Sequence, residues 1–182
     1  INFNECGLKK YLNKYRKRII TDLDIFYLEN QKNLKITITG TNGKSTTSKL
    51  LYEILRYHNK DVRLLGNIGK PILIEKNIKP KTIFVIEASS YQIEYSQHFK
   101  TEHAMILNIS PDHLERHGDI KKYTKAKFKL VLNQKKNDYA YINKSNKYLK
   151  NEIKKNNINC KLIDVKINIL DKFNKYIKNY YF

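Results

Sequence analysis

The strongest constraint on the fold is an alternation that runs along most of the chain: short β-branched runs, each followed by an amphipathic stretch. Residues 35–39, KITIT, alternate β-branched side chains and read as a strand. The turn at 40–44 follows, and Ser45 to His58 reads as a helix with Leu50, Leu51, Ile54 and Leu55 on one face. DVRLLGNIG predicts a strand ending in a glycine-rich turn, with a short apolar segment, PILIEKN, after it. TIFVIEASS predicts a buried strand whose last residues turn polar, YQIEYSQ a short helix, and HAMILNIS another buried strand. PDHLERHGDIKKYTKAKFKLVLNQ reads as helical in two pieces separated at Gly118, and DYAYIN, NKYLKNEIKKNN and INCKLIDV as strand, helix and strand. Ahead of these, GLKKYLNKYRKR has helical spacing, and Asp22 is the expected N-cap of a helix through LDIFYLEN. Strands alternating with helices predict an α/β fold, a mainly parallel sheet with helices on both faces. Ligands of such sheets collect at the carboxyl ends of the strands. The polar residues at those ends are Gly40 to Ser45, Asn67, Glu87 to Ser90, and Asn108 to His113.

Composition narrows the class less than the pattern does. The 182 residues suffice for one domain with a core, plus a short appendage. Lys and Arg number 36 against 17 Asp and Glu, a formal charge of +19, which attracts phosphates, nucleic acid or anionic surfaces. The lysines are spread along the chain and not gathered into an arm or stripe, so we read the charge as the usage of an A/T-rich coding sequence. Cys6 and Cys160 form neither a CxxC pair nor a disulfide framework, which fits free thiols in a reducing cytosol. No apolar run approaches a membrane span, and INFNECGLKK lacks the features of a signal peptide. A cytoplasmic protein with no membrane partner is expected. The missing initial Met and the ending KYIKNYYF suggest a piece of a longer protein.

The turn GTNGKST carries the clearest chemistry. Consecutive amides at a helix start, a lysine and two hydroxyls suit a polyphosphate: the amides and helix dipole stabilise its oxygens, Lys44 neutralises charge, and Ser45 ligates Mg²⁺. The strict pattern GxxxxGK[ST] has glycine five residues before Gly43, where this chain has Ile38. A plain tight turn capped by Ser45 is the simpler alternative. Glu87, closing the apolar strand TIFVIE, stands where phosphate-loop enzymes place an acid for Mg²⁺; simple exposure at the sheet edge is its alternative. His113, next to Asp112 in the turn after a third strand, is a candidate metal ligand beside such a site, although a lone histidine is more often a cap or a surface residue.

The blocks GTNGKST, GNIGKPIL, EASSYQIE, LNISPDHLERHG and KYTKAKFK resemble, in order and near-spacing, those of the Mur ligases, ATP-dependent amide-forming enzymes of peptidoglycan precursor synthesis. The family's phosphate loop also lacks the first glycine. NIG after the second strand and SSYQ after Glu87 are most similar to the branch that adds D-glutamate. Leu65, where the family usually has glycine, and a short stretch between His113 and Lys127 are departures. The resemblance implies a P-loop NTPase-like central domain over residues 31–182, incomplete at its C-terminus, preceded by the tail of an N-terminal UDP-binding domain over 1–30, with a C-terminal ligase domain absent. It implies that Gly40, Thr41, Asn42, Gly43, Lys44, Ser45 and Thr46 bind ATP, and that Ser45, Glu87, His113 and a carbamylated Lys127 hold two Mg²⁺ ions. Asn67, Ser89, Gln92 and His113 would contact the muramoyl substrate, and Tyr123 would support Lys127. Without the family, Lys127 reads as an exposed lysine between Lys125 and Lys129.

The implied reaction joins D-glutamate to UDP-N-acetylmuramoyl-L-alanine through an acyl phosphate, with small-molecule partners only and a monomeric enzyme. The isolated chain is expected to bind ATP weakly and to turn over little. Two other classes stay open. One is another phosphate-loop enzyme, such as a small kinase or a folate-extending ligase, whose acceptor motifs are not found. The other is a basic nucleic-acid-binding module, suggested by the charge and by 14 tyrosines that could stack on bases.

Overall fold

The computed structural model describes residues 14–112 and 117–165. Among these residues six strands form one sheet: β1 Leu34–Thr39, β2 Val62–Gly66, β3 Ile83–Glu87, β4 His103–Ile106, β5 Tyr139–Ile142 and β6 Lys161–Asp164. Their order is β2-β3-β1-β4-β5-β6, and every pairing is parallel. The expected mainly parallel sheet is thus wholly parallel among the described residues. Among the described residues five α-helices accompany it: α1 Asp22–Glu29, α2 Lys44–Tyr57, α3 Ser90–Tyr95, α4 Ile120–Leu132 and α5 Lys147–Lys155.

Both faces of the sheet carry helices because both faces of its strands are apolar. Ile38, Val62 and Val85 face α2, which lays Leu51, Tyr52 and Leu55 on them. On the opposite face Phe84, Ile86 and Ala104 pack with Leu23 and Phe26 of α1, Ile93 of α3 and Leu130 of α4. Ile106, Ala140 and Ile142 continue that face beneath Phe128 and Val131 of α4 and Leu149 of α5. Each fully buried Val, Leu, Ile or Phe among these is worth about 1.5–3 kcal/mol relative to exposure.

Chain order places the site. From β1 the chain runs through α2 to the edge strand β2, whereas from β4 it runs through α4 to β5 on the other side. The direction reverses between β1 and β4, and a crevice opens at the carboxyl ends of strands where that happens.

Several local expectations need correction. The N-cap of α1 is Thr21, one residue before Asp22: its hydroxyl accepts from the Asp24 amide while the Asp24 carboxylate accepts from the Thr21 amide. On α2, Leu51 and Leu55 face the sheet, but Leu50 and Ile54 are exposed. At about 100° per residue, positions 50 and 54 are turned a quarter of the way round from 51 and 55, so the four do not share one buried face. PILIEKN forms no regular element; Ile72 is buried while Leu73 and Ile74 are exposed. Of the expected first helix, residues up to 13 lie outside the described residues, and a 3₁₀ turn occupies Arg16–Arg18. The helical piece expected before Gly118 falls largely on 113–116, also outside them. Among the described residues no helix is long and apolar enough to cross a membrane.

Candidate nucleotide and metal site

The loop after β1 is held open by its neighbour across the switch point. The amide of Thr41 donates to the Asn108 carbonyl at 3.0 Å, and the amide of Asn42 donates to Asn108 Oδ1 at 2.8 Å. Asn108 Nδ2 returns a hydrogen bond to the Asn42 carbonyl at 3.0 Å. Thr41 is further tied by its hydroxyl, which accepts from the Ser110 amide at 3.1 Å and lies 3.3 Å from the Tyr123 hydroxyl. Gly40 sits against Leu107 and Asn108.

Gly43 is the N-cap of α2 with φ +82°, a left-handed conformation that glycine adopts without steric penalty. It has no side chain to give the helix, and no side-chain cap is present. The plain reading of a turn capped by Ser45 is therefore set aside. The first amides of a helix have no intrahelical acceptor, so those of Lys44, Ser45 and Thr46 form the positive end of a 14-residue dipole. The Ser45 and Thr46 side chains are exposed there. Lys44 folds over the loop and donates to the carbonyls of Gly40 at 3.0 Å and Thr41 at 2.7 Å.

Glu87 ends β3, with Gly66 of β2 on one side and Ile38 of β1 on the other. It is only 1 % exposed, so the sheet-edge alternative fails: β3 is an interior strand. Oε1 accepts from Asn67 Nδ2 at 2.9 Å, while Oε2 is buried without a hydrogen-bond partner. A buried, unpartnered carboxylate oxygen costs several kcal/mol by order of magnitude, so it persists where something else meets it. Asn67 itself is exposed and is anchored through its amide to the Glu87 carbonyl at 2.9 Å. The turn requires Gly66: φ is +105°, and a Cβ there would stand 2.3 Å from the Glu87 carbonyl oxygen.

Lys127 is not the exposed lysine that its basic neighbours suggest. It is 2 % exposed, donates to Thr39 Oγ1 at 3.3 Å, and sits 4.7 Å from the centroid of the Tyr123 ring. Burial chiefly, and the nearby charge of Lys44 second, together lower its amine pKa from 10.5 to about 7, with Asp112 opposing them. An amine from α4, the loop after β1 and the acid of β3 thus meet at neighbouring strand tips.

Ser89 and Gln92 form the capping box of α3: the Gln92 amide donates to Ser89 Oγ at 3.3 Å and the Ser89 amide to Gln92 Oε1 at 3.1 Å. Gln92 Nε2 reaches Asp22 Oδ2 at 3.4 Å. His113 lies outside the described residues. Among the described residues no three His, Cys, Asp or Glu side chains gather. A cation here would therefore combine Glu87 with a hydroxyl, phosphate oxygens or water. That donor set is all oxygen, as Mg²⁺ prefers, and the free Oε2 fits it.

Nothing in the sequence marks Thr39 as a site residue, and Asn108 and Ser110 are marked only as members of the polar stretch 108–113, because the mutual pairing of Asn42 and Asn108 exists only once β1 and β4 lie side by side.

A helix start bearing lysine and hydroxyls after the central strand, with an acid on the next strand, defines a phosphate-loop α/β nucleotide-binding domain. The model of the Mur ligase middle domain matches residues 38–180. The chain belongs to the Mur ligase family, a family of ATP-dependent ligases. It is 43 % identical over 155 residues to the UDP-N-acetylmuramoylalanine--D-glutamate ligase of Elusimicrobium minutum, covering 81 % of this chain and 34 % of that protein. The like-named protein of Rickettsia prowazekii is 45 % identical over 131 residues, covering 71 % and 29 %. The chain spans about a third of the length of these curated relatives. Among solved structures, MurF ligase from Thermotoga maritima in complex with ADP matches with a TM-score of 0.57 at 21 % identity, covering 88 % of this chain and 36 % of that one. A UDP-N-acetylmuramoyl-L-alanyl-D-glutamate 2,6-diaminopimelate ligase matches with a TM-score of 0.59 at 23 % identity, covering 82 % and 36 %. At that identity these two show a shared fold.

Proposed function

We propose that this chain is the ATP-binding part of an enzyme that joins D-glutamate to UDP-N-acetylmuramoyl-L-alanine, activating the alanyl carboxylate as an acyl phosphate. The observation that carries the proposal is the unpartnered, buried Oε2 of Glu87 one strand away from an uncapped helix start bearing Lys44. The names of the relatives at 43–45 % identity support the substrates. Residues 31–182 would form the ATP-binding unit, with 1–30 leading in from a UDP-binding domain.

Each side chain then has a task. The amides of Gly43 to Thr46 and the Lys44 ammonium bind phosphate oxygens, and Lys44 exchanges its two loop carbonyls for them. Thr41 and Asn42, clamped by Asn108, keep the loop in the shape that presents those amides. Ser45 and Glu87 would hold one Mg²⁺, and His113 with Lys127 a second. When bound, Mg²⁺ offsets the repulsion between a triphosphate and the attacking carboxylate. Asn67, Ser89, Gln92 and His113 would border the muramoyl substrate.

Lys127 requires conversion for that role, because an ammonium repels a cation. An amine with a pKa of about 7 is substantially neutral at physiological pH and can attack CO₂: the N–C bond forms, one N–H proton leaves to solvent, and a carbamate anion results. Burial beside Thr39 and Tyr123 supports this reading of Lys127.

The test uses the complete protein carrying this chain, with UDP-N-acetylmuramoyl-L-alanine, ATP and Mg²⁺, offering D-glutamate, L-lysine or meso-diaminopimelate in separate reactions. ADP release and amide formation with D-glutamate alone are expected. Amide formation with another amino acid, or salt-sensitive binding of single-stranded DNA without ATP binding, would replace the proposal with a rival.

A further inference from the structure

We infer that His117 is a positioning residue for the phosphate loop, acting through Tyr123, an inference that rests on the nucleotide-binding reading above. His117 lies between β4 and α4 in the chain, and neither the phosphate-loop motif nor the proposed mechanism gives it a task.

Its surroundings are specific. The ring is nearly buried, at 6 % exposure. Nε2 lies 3.0 Å from Ser90 Oγ, Nδ1 lies 3.6 Å from Glu94 Oε2, and the ring stacks on Tyr91 at 5.5 Å between centroids and 16° between planes. Ser90 and Glu94 are one helical turn apart, so both ring nitrogens address one face of α3. That helix starts three residues after Glu87, so His117 is referenced to the tip of β3. Its other side meets Tyr123, edge to face at 5.3 Å and 61°.

Tyr123 is the element that connects this anchor to the site. It is 1 % exposed, its hydroxyl lies 3.3 Å from Thr41 Oγ1 in the loop, and its ring face carries the Lys127 ammonium position at 4.7 Å. A tyrosine rotates about two side-chain bonds, and a loose ring would release both contacts together. His117 is the wedge that sets that ring, so the loop after β1, the lysine of α4 and the helix after β3 keep a common frame.

The Ser90, His117 and Glu94 order invites comparison with a nucleophilic triad, which the geometry opposes. Ser90 is 2 % exposed, so a substrate carbonyl has no approach to its hydroxyl, and 3.6 Å is too long for the base–acid hydrogen bond.

The experiment uses the complete protein with 3-fluorotyrosine placed at position 123, read by ¹⁹F NMR, together with the dissociation constant of ATP·Mg. His117→Ala is expected to shift and split the single fluorine resonance and to weaken ATP·Mg by about tenfold, as couplings between contacting residues commonly do. His117→Gln, which can still reach Ser90, should restore a single resonance and bring affinity back to within about threefold. In a Tyr123→Leu background His117→Ala should cause no further loss. A folded His117→Ala protein with an unchanged resonance overturns the inference, and so does an equal loss in the Tyr123→Leu background. If His117→Ala fails to fold, Ser90→Ala serves in its place, and an unchanged fluorine signal there is equally decisive. A wild-type protein that binds no ATP·Mg would remove the nucleotide reading, while the fluorine response would still decide whether His117 sets Tyr123.

Discussion

Lys127 reaches from α4 to place its Nζ 3.3 Å from Thr39 Oγ1, bringing a buried amine to the last residue of the central strand. That relationship makes the lysine's protonation a property of the fold. In the unfolded chain it holds its proton to about 10.5, whereas in the folded state the pKa falls to about 7. Between those values the unfolded chain binds more protons, so this group makes stability rise with pH from about 7 to about 10.5. Lys127→Met, which titrates nowhere, should therefore be more stable than wild type at pH 6, with the gap narrowing towards pH 10 in urea titrations. A gap independent of pH would contradict the buried amine. With ¹³C-bicarbonate, a carbamate signal is expected near pH 8 from wild type and none from the variant.

Lys44→Ala should leave the melting temperature nearly unchanged, because the lysine's contacts are to two loop carbonyls that water can serve. ATP·Mg affinity should fall roughly a hundredfold, since a hydrogen bond to a charged group is worth about 1.5–3 kcal/mol. Calorimetric titration reads the outcome, and unchanged affinity would refute the phosphate assignment.

Glu87→Gln keeps an oxygen for Asn67 and removes the charge at Oε2. Stability without ligand should hold or rise, because a buried charge with one free oxygen is itself unfavourable. The Mg²⁺ dependence of ATP binding should flatten. A variant that still needs Mg²⁺ as wild type does would place the ion elsewhere.

Asp24 anchors α1 to the loop after α3. Its carboxylate accepts from the Thr21 amide and hydroxyl, the Ser96 hydroxyl, and the amides of Gln97, His98 and Phe99. Burial alone would raise its pKa, but these donors outweigh it and lower it to about 2 from 3.8. The stabilisation is present above pH 3.8 and is lost as pH falls through about 2. Asp24→Asn should cost about 3 kcal/mol at pH 7, the scale of a broken charged network, with a smaller difference at pH 2.5.

Gly66→Ala forces a Cβ to within 2.3 Å of the Glu87 carbonyl oxygen at a φ of +105°. A loss of at least about 2 kcal/mol is expected from strain and clash together, along with weaker Mg²⁺-dependent ATP binding because the same peptide carries Glu87. Loss of stability with metal dependence intact would show that the turn does not set the acid.

The strands and helices were legible because burial on two faces leaves long β-branched runs, and solvent on one face leaves helical spacing. All six strands of the described residues fall near the runs that predict them, and the glycine, lysine and hydroxyl spacing of the loop after β1 is likewise a local matter. Legibility failed where neighbours decide. Leu50 and Leu51 look alike in the sequence, yet only Leu51 meets Ile38, Val62 and Val85. Thr21 displaced Asp22 as a cap because Asp24 could answer it.

The period of each segment, the sites of the tight turns and the chemical groups at the strand ends are written in residue order alone, since they depend on residues within a few positions of one another. The burial and lowered pKa of Lys127, the interior place of Glu87 with one oxygen lacking a hydrogen-bond partner, and the clamp of Asn108 on the loop after β1 arise from packing between distant segments. Solvation and charge are set by whatever surrounds a group in space, and here those surroundings come from strands and helices as many as 88 residues apart in the chain.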